Sequence, residues 1–176
     1  MTIPNLITIA RLILVPIVIA AIGSGNWQVA FVLFAMAGIS DGIDGFIARR
    51  FDMRSELGAY LDPLADKALL VSIYVALSVF KVLPGWIAIL VVSRDLMIVS
   101  AIIVSWLMEK PVEIKPFAVS KMNTAAQITF AGLVLGSKAF AIPLGALEDV
   151  SIVLVAVLTL MSAGAYLAFW LRHMAA

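Results

Sequence analysis

Six long stretches of hydrophobic residues run along the chain and predict six membrane-spanning α-helices. They cover approximately residues 3–22, 27–50, 56–80, 85–108, 118–135 and 148–171, and short segments rich in Gly, Pro or charged residues separate them. Each stretch is close to the roughly 20 residues that a helix needs to cross about 30 Å of hydrocarbon. We therefore predict an all-α integral membrane protein in which residues 1–176 form a single transmembrane domain.

The composition supports this interpretation and excludes several classes of function. Hydrophobic residues make up 64% of the chain and charged residues 13%, whereas soluble domains contain about 25% charged residues. A net charge of +1 without a basic run gives no indication of nucleic-acid binding. The absence of Cys excludes disulfides, thiolate zinc sites and cysteine nucleophiles. The first stretch contains Arg11 and no basic segment precedes it, so we expect a retained helix rather than a signal peptide.

The distribution of Lys and Arg between the loops predicts the orientation of the helices. One side of the membrane would carry Arg49, Arg50, Arg54, Lys110, Lys115, Lys121 and Arg172, and the other only Lys81 and Lys138. Because positive loops face the cytoplasm, both termini are predicted to be cytoplasmic. The chain begins without a transit peptide, which favours a bacterial inner membrane over a trimmed mitochondrial protein.

Four aspartates lie inside or at the edge of the second and third hydrophobic stretches, namely Asp41, Asp44, Asp62 and Asp66. An Asp at the centre of a membrane helix costs about 2.5–3.5 kcal/mol on insertion, so such residues need partners. Asp41 and Asp44 share one helical face, and Asp62 and Asp66 share another. A helical hairpin would bring all four together near the cytoplasmic surface. Carboxylate oxygens there would favour Mg²⁺, Mn²⁺ or Ca²⁺ over zinc.

Small residues accompany the aspartates on the same two faces. Gly45, Ala48 and Gly58 leave room for a bulky ligand, and Arg49 could bind a phosphate through two parallel hydrogen bonds. Small residues in membrane helices also serve close packing. Buried carboxylates also occur in cation or proton transporters, and spacing alone leaves that alternative open.

The arrangement of these residues resembles the motif of the CDP-alcohol phosphotransferase family. Residues 41–66 read D-G-I-D-G-F-I-A-R-R-F-D-M-R-S-E-L-G-A-Y-L-D-P-L-A-D. Every specified position of the family pattern, D-x2-D-G-x2-A-R-x8-G-x3-D-x3-D, is filled. The segment P-N-L-I-T-I-A-R, residues 4–11, is similar to the N-terminal segment of the family. The resemblance thus covers essentially the whole chain.

The resemblance implies an enzyme that transfers a phosphatidyl group from CDP-diacylglycerol to an alcohol and releases CMP. Asp41, Asp44 and Asp62 would bind two divalent cations, Mg²⁺ or Mn²⁺, and Asp66 would be both the general base and a fourth residue of the metal site. The residues implied to bind the CDP-lipid are Asn5, Thr8, Arg11, Gly45, Ala48, Arg49 and Gly58. A homodimer is also implied by the family.

Two later segments bear on the acceptor alcohol. S-R-D at residues 93–95 and K-P-F-A-V-S-K-M-N-T at residues 115–124 resemble the cardiolipin synthases of the eukaryotic type, which use phosphatidylglycerol. The alternative acceptor is glycerol 3-phosphate, the substrate of phosphatidylglycerophosphate synthases. Those enzymes usually have R-E where this chain has Arg94 and Asp95, and a further Arg about two helical turns later. Arg94, Lys115 and Lys121 would bind the acceptor. In the competing interpretation, Arg94 and Asp95 only pair with other helices.

A pair of glycines in the fifth stretch, Gly132 and Gly136, forms a G-x-x-x-G pattern. Such patterns allow two membrane helices to approach closely, and they can mediate dimerisation. The pattern is common in apolar sequence, so the predicted homodimer depends on the family resemblance rather than on this pair.

Overall fold

The computed structural model describes residues 3–50, 56–109 and 117–175, and the side chains of residues 9–40, 67–109 and 117–175. Within these ranges the chain forms six α-helices and no strand. They are α1 (Ile3–Gly23), α2 (Trp27–Arg50), α3 (Glu56–Val79), α4 (Gly85–Leu107), α5 (Ala118–Phe140) and α6 (Ala146–Ala175). The all-α prediction is confirmed, and each predicted stretch corresponds to one helix.

The contacts divide the chain into two compact units. The first comprises Met1–Leu83 and Ala131–Leu144, and the second comprises Pro84–Phe130 and Gly145–Ala176. Helix α5 therefore contributes its first half to the second unit and its second half to the first. The prediction of one transmembrane domain remains a prediction.

In the first unit, α1 packs against both α2 and α3. A tight turn joins α1 to α2, in which Gly25 adopts a φ of 73° and the N–H of Asn26 donates to the Ala21 carbonyl at 2.9 Å. Gly23 lies immediately before this turn, and a Cβ there would come within 2.8 Å of Phe80 Cζ. The end of α1 therefore lies close to the Phe80 ring, which follows the end of α3.

Gly132 and Gly136 of α5 pack against aromatic rings of α2 in the same unit. A Cβ at Gly132 would be 3.3 Å from Phe34 Cε1, and one at Gly136 would be 3.2 Å from Phe31 Cε2. The Phe31 ring also meets Phe140 edge-on, with 5.5 Å between the ring centroids. The glycine pair thus packs against aromatic rings within one chain, and its suggested use in dimerisation remains a prediction.

The second unit buries polar side chains among apolar ones and is apolar outside. Helix α4 packs against α6, and the buried side chains include Arg94, Ser105, Thr159 and Ser162. Large hydrophobic side chains are exposed instead, among them Ile89, Leu96, Ile103, Val153 and Leu160. A protein dissolved in water would expose such a surface only at an interface. In lipid the arrangement is favourable, because polar groups pair inside the helix bundle.

The ends of α4 and α6 are joined by a hydrogen-bonded tryptophan. Nε1 of Trp170 donates to Ser105 Oγ at 2.8 Å and to the Ala101 carbonyl at 3.1 Å. The Ser105 hydroxyl in turn donates to the Ala101 carbonyl at 2.7 Å. These bonds satisfy an indole N–H that would otherwise lie unpaired beside apolar surface.

Two of the described helices are long and apolar enough to cross a membrane, namely Gly85–Leu107 and Ala146–Ala175. Shorter apolar helical segments cover Ile9–Gly23, Trp27–Ser40 and Lys67–Val79. These findings support a membrane protein, whereas six spans with both termini in the cytoplasm remain a prediction.

Candidate active site

The first unit brings the N-terminal end of α1 level with the motif-bearing end of α2. The two helices are in contact and are joined by only three residues, so they run antiparallel. Residues equally far from the turn therefore lie at the same height, because every helical residue rises by about 1.5 Å. Counted in this way, Thr8 is level with residue 42 and Asn5 with Gly45.

Helix α3 ends beside the end of α1, where Phe80 lies against Gly23, so α3 runs in the direction opposite to α2 and carries the second half of the motif near its start. Five residues separate α2 from α3, so the facing helix ends are at most about 22 Å apart, and both helices contact α1. Asp44 lies as far before the end of α2 as Asp62 lies after the start of α3. Ala48 and Gly58 are likewise level with each other, near the helix ends. The backbone thus places both halves of the motif at one end of the first unit.

Arg11 is the one predicted site residue of this unit whose side chain the structure describes, and it is 1% exposed. By the same count along α1 and α2, it lies level with Ile39, less than one helical turn from Asp41. A guanidinium is expensive to bury unless anions surround it. The burial of Arg11 is therefore consistent with a group of carboxylates or phosphates at this level.

The other motif side chains lie outside the described part of the structure. They are Asn5, Thr8, Asp41, Asp44, Gly45, Ala48, Arg49, Gly58, Asp62 and Asp66. Among the side chains that are described, no group of three His, Cys, Asp or Glu could hold a metal. The roles of the four aspartates and the two cations remain predictions, supported here by the positions of their helices.

A second polar cluster lies in the other unit and centres on Arg94 of α4. Its Nε and Nη2 donate to Ser162 Oγ on α6, at 3.1 and 2.7 Å, and Nη2 also donates to Ser120 Oγ on α5. Nη1 donates to Asp95 Oδ1 at 2.5 Å. The guanidinium carbon lies 5.6 Å from the centre of the Tyr166 ring, within range of a cation–π contact. Arg94 is thus held by three helices.

Asn123, Thr159 and Gln127 extend this cluster by one turn of α5. The Thr159 hydroxyl donates to Asn123 Oδ1 at 2.9 Å, and Gln127 Nε2 donates to the Thr159 hydroxyl at 3.2 Å. Asn123 is fully buried, and its Nδ2 has no hydrogen-bond partner among the described residues. The cluster therefore contains an amide donor that is still available.

These residues were not singled out from the sequence, although their spacing carried a signal. Ser120, Asn123 and Gln127 repeat every three or four residues on α5, and Thr159, Ser162 and Tyr166 do so on α6. Polar residues at helical spacing in apolar stretches indicate two faces that pair with each other.

The interpretation that Arg94 and Asp95 pair within the helix bundle agrees with these contacts. The acceptor-binding role of Arg94 remains a prediction. Lys121 follows Ser120 on α5 and is exposed, and Lys115 lies outside the described residues.

An enzyme that acts on lipid phosphates is expected to have paired motif helices, a buried arginine beside them and a surface compatible with lipid. A model of the CDP-alcohol phosphatidyltransferase family matches residues 1–162 of the chain. The chain therefore belongs to this family, whose members transfer phosphate-containing groups.

Several curated relatives are similar to this chain. A cardiolipin synthase (CMP-forming) / mitochondrial hydrolase fusion protein of Schizosaccharomyces pombe is 36% identical over 151 residues, which cover 76% of this chain and 25% of the relative. The cardiolipin synthase (CMP-forming) of Homo sapiens is 34% identical over 155 residues, covering 79% and 52%. A probable phosphatidylglycerophosphate synthase of Mycobacterium tuberculosis is 40% identical over 98 residues, covering 52% and 47%. The chain spans about half the length of the last two relatives and a quarter of the first.

Proposed function

We propose that this protein transfers a phosphatidyl group from CDP-diacylglycerol to a glycerol-type alcohol and releases CMP, in a reaction that depends on two divalent cations. The motif carries the proposal, because all of its specified positions are filled in residues 41–66. Family membership, the matching heights of the motif helices and the burial of Arg11 support it.

In this proposal Asp41, Asp44 and Asp62 hold the two cations, with Asp66 close by. Mg²⁺ and Mn²⁺ suit a site made of carboxylate oxygens. The bound cations would orient the diphosphate and neutralise the charge that develops on the leaving phosphate. Four carboxylates close together repel one another, so cation binding also relieves a repulsion built into the two helices.

The remaining motif residues bind and orient the donor lipid. Arg49 can donate two parallel hydrogen bonds to a phosphate, and the small residues Gly45, Ala48 and Gly58 leave space for the nucleotide between α2 and α3. Asn5, Thr8 and Arg11 approach from α1 at the same height. These contacts would fix the phosphorus that carries diacylglycerol in line with the attacking hydroxyl.

Asp66 accepts the proton of the acceptor hydroxyl as that oxygen attacks the phosphorus. The P–O bond to CMP then breaks, and CMP leaves as the phosphate anion. A positioned carboxylate contributes typically 10²–10⁴-fold to such a proton transfer. The separation of roles between Asp66 and the three cation ligands makes this step testable by substitution.

Phosphatidylglycerol is the acceptor we propose, which makes the product cardiolipin. Cardiolipin synthases are similar to this chain over 76–79% of its length, and the segments at residues 93–95 and 115–124 resemble them. Glycerol 3-phosphate carries a phosphomonoester, whose charge calls for several cationic donors. Arg94 already donates to Asp95, Ser120 and Ser162, so Lys115 and Lys121 would have to supply most of that charge.

Glycerol 3-phosphate is the alternative acceptor, and one observation favours it. The probable phosphatidylglycerophosphate synthase of Mycobacterium tuberculosis has the higher identity, 40%, although over 98 residues only. The competing transporter function gains no support from the family match.

We also propose six membrane spans with both termini in the cytoplasm, in a bacterial inner membrane, and a homodimer. The active site would then open to the cytoplasm, where CDP-activated lipids and CMP are exchanged. The uneven distribution of Lys and Arg between the loops supports this orientation.

One assay tests the proposal. Purified protein receives labelled CDP-diacylglycerol with Mn²⁺ or Mg²⁺, and phosphatidylglycerol and glycerol 3-phosphate are offered in separate reactions. We expect CMP release that requires both metal and phosphatidylglycerol. Release with glycerol 3-phosphate alone would replace the proposed acceptor, and no metal-dependent release with any alcohol would refute the proposed activity.

A further inference from the structure

A polar cavity of about 340 Å³ lies in the first unit, beside the turn that joins α1 to α2. Asn26 lines it from the turn, Trp27 and Gln28 line it from the start of α2, and Lys138 lines it from α5. It is separate from the motif, because Trp27 and Asp44 are about 25 Å apart along α2. The proposed phosphatidyl transfer therefore does not account for this cavity.

The lining of the cavity favours an anion. Lys138 is exposed and supplies a positive charge, and the described lining residues include no acid. The Gln28 amide can donate hydrogen bonds to phosphate or carboxylate oxygens, and so can the second N–H of Asn26, whose Nδ2 also donates to Ser24 Oγ at 3.1 Å. Trp27 is of the residue type that is enriched where a membrane helix meets the head groups.

An apolar stripe on α2 begins at this cavity. Val29 is one of the lining residues, and Val32, Met36 and Ile39 follow it three or four residues apart, so all four share one face of the helix. Each is between 49% and 63% exposed. From Val29 to Ile39 the stripe is about 15 Å long, which is half of the hydrocarbon thickness of about 30 Å. Its length therefore matches the acyl chain of a lipid in one leaflet.

We propose that the cavity binds the head group of an anionic phospholipid, whose acyl chain lies along the apolar stripe Val29–Val32–Met36–Ile39. Lys138 pairs with the head-group charge, and the amides of Asn26 and Gln28 bind its oxygens. A phosphatidylcholine head group fits this lining less well, because it has no net negative charge to pair with the Lys138 ammonium. This lipid is distinct from the donor and acceptor lipids, which bind at the other end of α2.

Native mass spectrometry of the full chain in detergent tests this proposal. Phosphatidylserine and phosphatidylcholine with identical acyl chains are titrated in EDTA, so that neither a proposed substrate nor a metal contributes to binding. We expect the first bound phosphatidylserine to be retained more tightly than phosphatidylcholine. The variant Lys138→Gln should lose up to about five-fold in phosphatidylserine affinity, the effect of one exposed ion pair, with little change for phosphatidylcholine.

Lys81→Gln is the matched control, because Lys81 is also exposed and lies outside the described lining of the cavity. Both lysines are on the same predicted side of the membrane, and both substitutions remove one charge. Unchanged phosphatidylserine retention in Lys138→Gln, or an equal loss in Lys81→Gln, would overturn the proposal. Because the readout is lipid retention and not CMP release, its failure is distinguishable from failure of the proposed enzymatic activity.

Discussion

Thr159 on α6 donates a hydrogen bond from its hydroxyl to Oδ1 of Asn123 on α5, at 2.9 Å, and both residues are completely buried. The same hydroxyl accepts a bond from Gln127, one turn further along α5. Lipid offers no competing hydrogen-bond partners, so bonds of this kind join membrane helices. The Thr159 hydroxyl thus joins α6 to two positions of α5 by hydrogen bonds.

Replacing this hydroxyl should loosen the second unit. Thr159→Val keeps the shape of the side chain but leaves buried Asn123 Oδ1 without this donor, so we expect a loss of about 1–2 kcal/mol in the free energy of unfolding. Thr129→Val is the control, since Thr129 is exposed and bonds only to the Ala125 carbonyl of its own helix. Unfolding in mixed micelles measures both, and equal losses would contradict the role of Thr159.

Arg94 provides a second test in the same unit. Its side chain is 4% exposed and that of Asp95 14%, so removal of one charge leaves the other in a poor solvent. We expect Arg94→Gln to cost about 3–5 kcal/mol of unfolding free energy. The double variant Arg94→Gln/Asp95→Asn should recover part of this loss. Arg94→Lys should lose less unfolding free energy than Arg94→Gln but remain below the wild type, because lysine retains the charge but cannot donate to Ser120 and Ser162 as a planar guanidinium does.

The same variants separate a packing role of Arg94 from acceptor binding. If Arg94 serves only the helix bundle, variants that remain folded keep the wild-type KM for the acceptor alcohol. A KM that rises several-fold for the acceptor, with an unchanged KM for CDP-diacylglycerol, would show that the guanidinium also contacts the acceptor. The measurement is CMP release at varied concentrations of each lipid.

The sequence predicted the helices well because each one is a long apolar stretch. The starts of α1, α2, α3, α4 and α5 match the predicted positions. Helices α5 and α6 extend further than predicted, since the predictions stopped at Leu135 and Leu171 and the helices continue to Phe140 and Ala175. Gly136 lies inside α5, where its lack of a side chain admits the Phe31 ring.

Pairing between distant helices was less accessible to sequence reasoning. Arg94 and Asp95 stand out as charges in an apolar stretch, yet nothing local identifies Ser162, 68 residues later, as a partner. The four motif aspartates, in contrast, could be recognised from the sequence, because the motif fixes their spacing over 26 residues. Spacing along the chain can be read from the sequence, whereas contacts between the faces of distant helices depend on how the helices pack.

The packing of Gly136 against Phe31 should make that glycine sensitive to a single methyl group. A Cβ there would lie 3.2 Å from Cε2 of Phe31, whose ring Phe140 holds from the side. We expect Gly136→Ala to destabilise the protein by about 1–3 kcal/mol through overpacking. Gly164→Ala on α6 has open space around the new methyl group and should be neutral or slightly stabilising. Melting temperatures that fall equally in both variants would contradict this account.

Substitution of Asp66 should separate binding of CDP-diacylglycerol from the chemical step of the proposed reaction. The substitution Asp66→Asn keeps the size of the side chain and removes its ability to accept a proton, whereas Asp41, Asp44 and Asp62 can still hold the cations. We therefore expect binding of CDP-diacylglycerol to remain within a few-fold of wild type while turnover falls by at least about 100-fold. Chelation of the metal should abolish turnover in the wild type as well, since the cations orient the diphosphate.

Two measurements on one protein preparation check this separation, namely CMP release and retention of labelled CDP-diacylglycerol. Glu109→Gln is the control acid, because Glu109 is exposed at the end of α4 and has no proposed role. Near wild-type turnover in Asp66→Asn would remove Asp66 from the role of general base. Loss of donor binding in the same variant would instead make Asp66 a fourth cation ligand, because a carboxylate that only accepts a proton does not hold the diphosphate. The ratio of the two effects therefore assigns the residue to one role or the other.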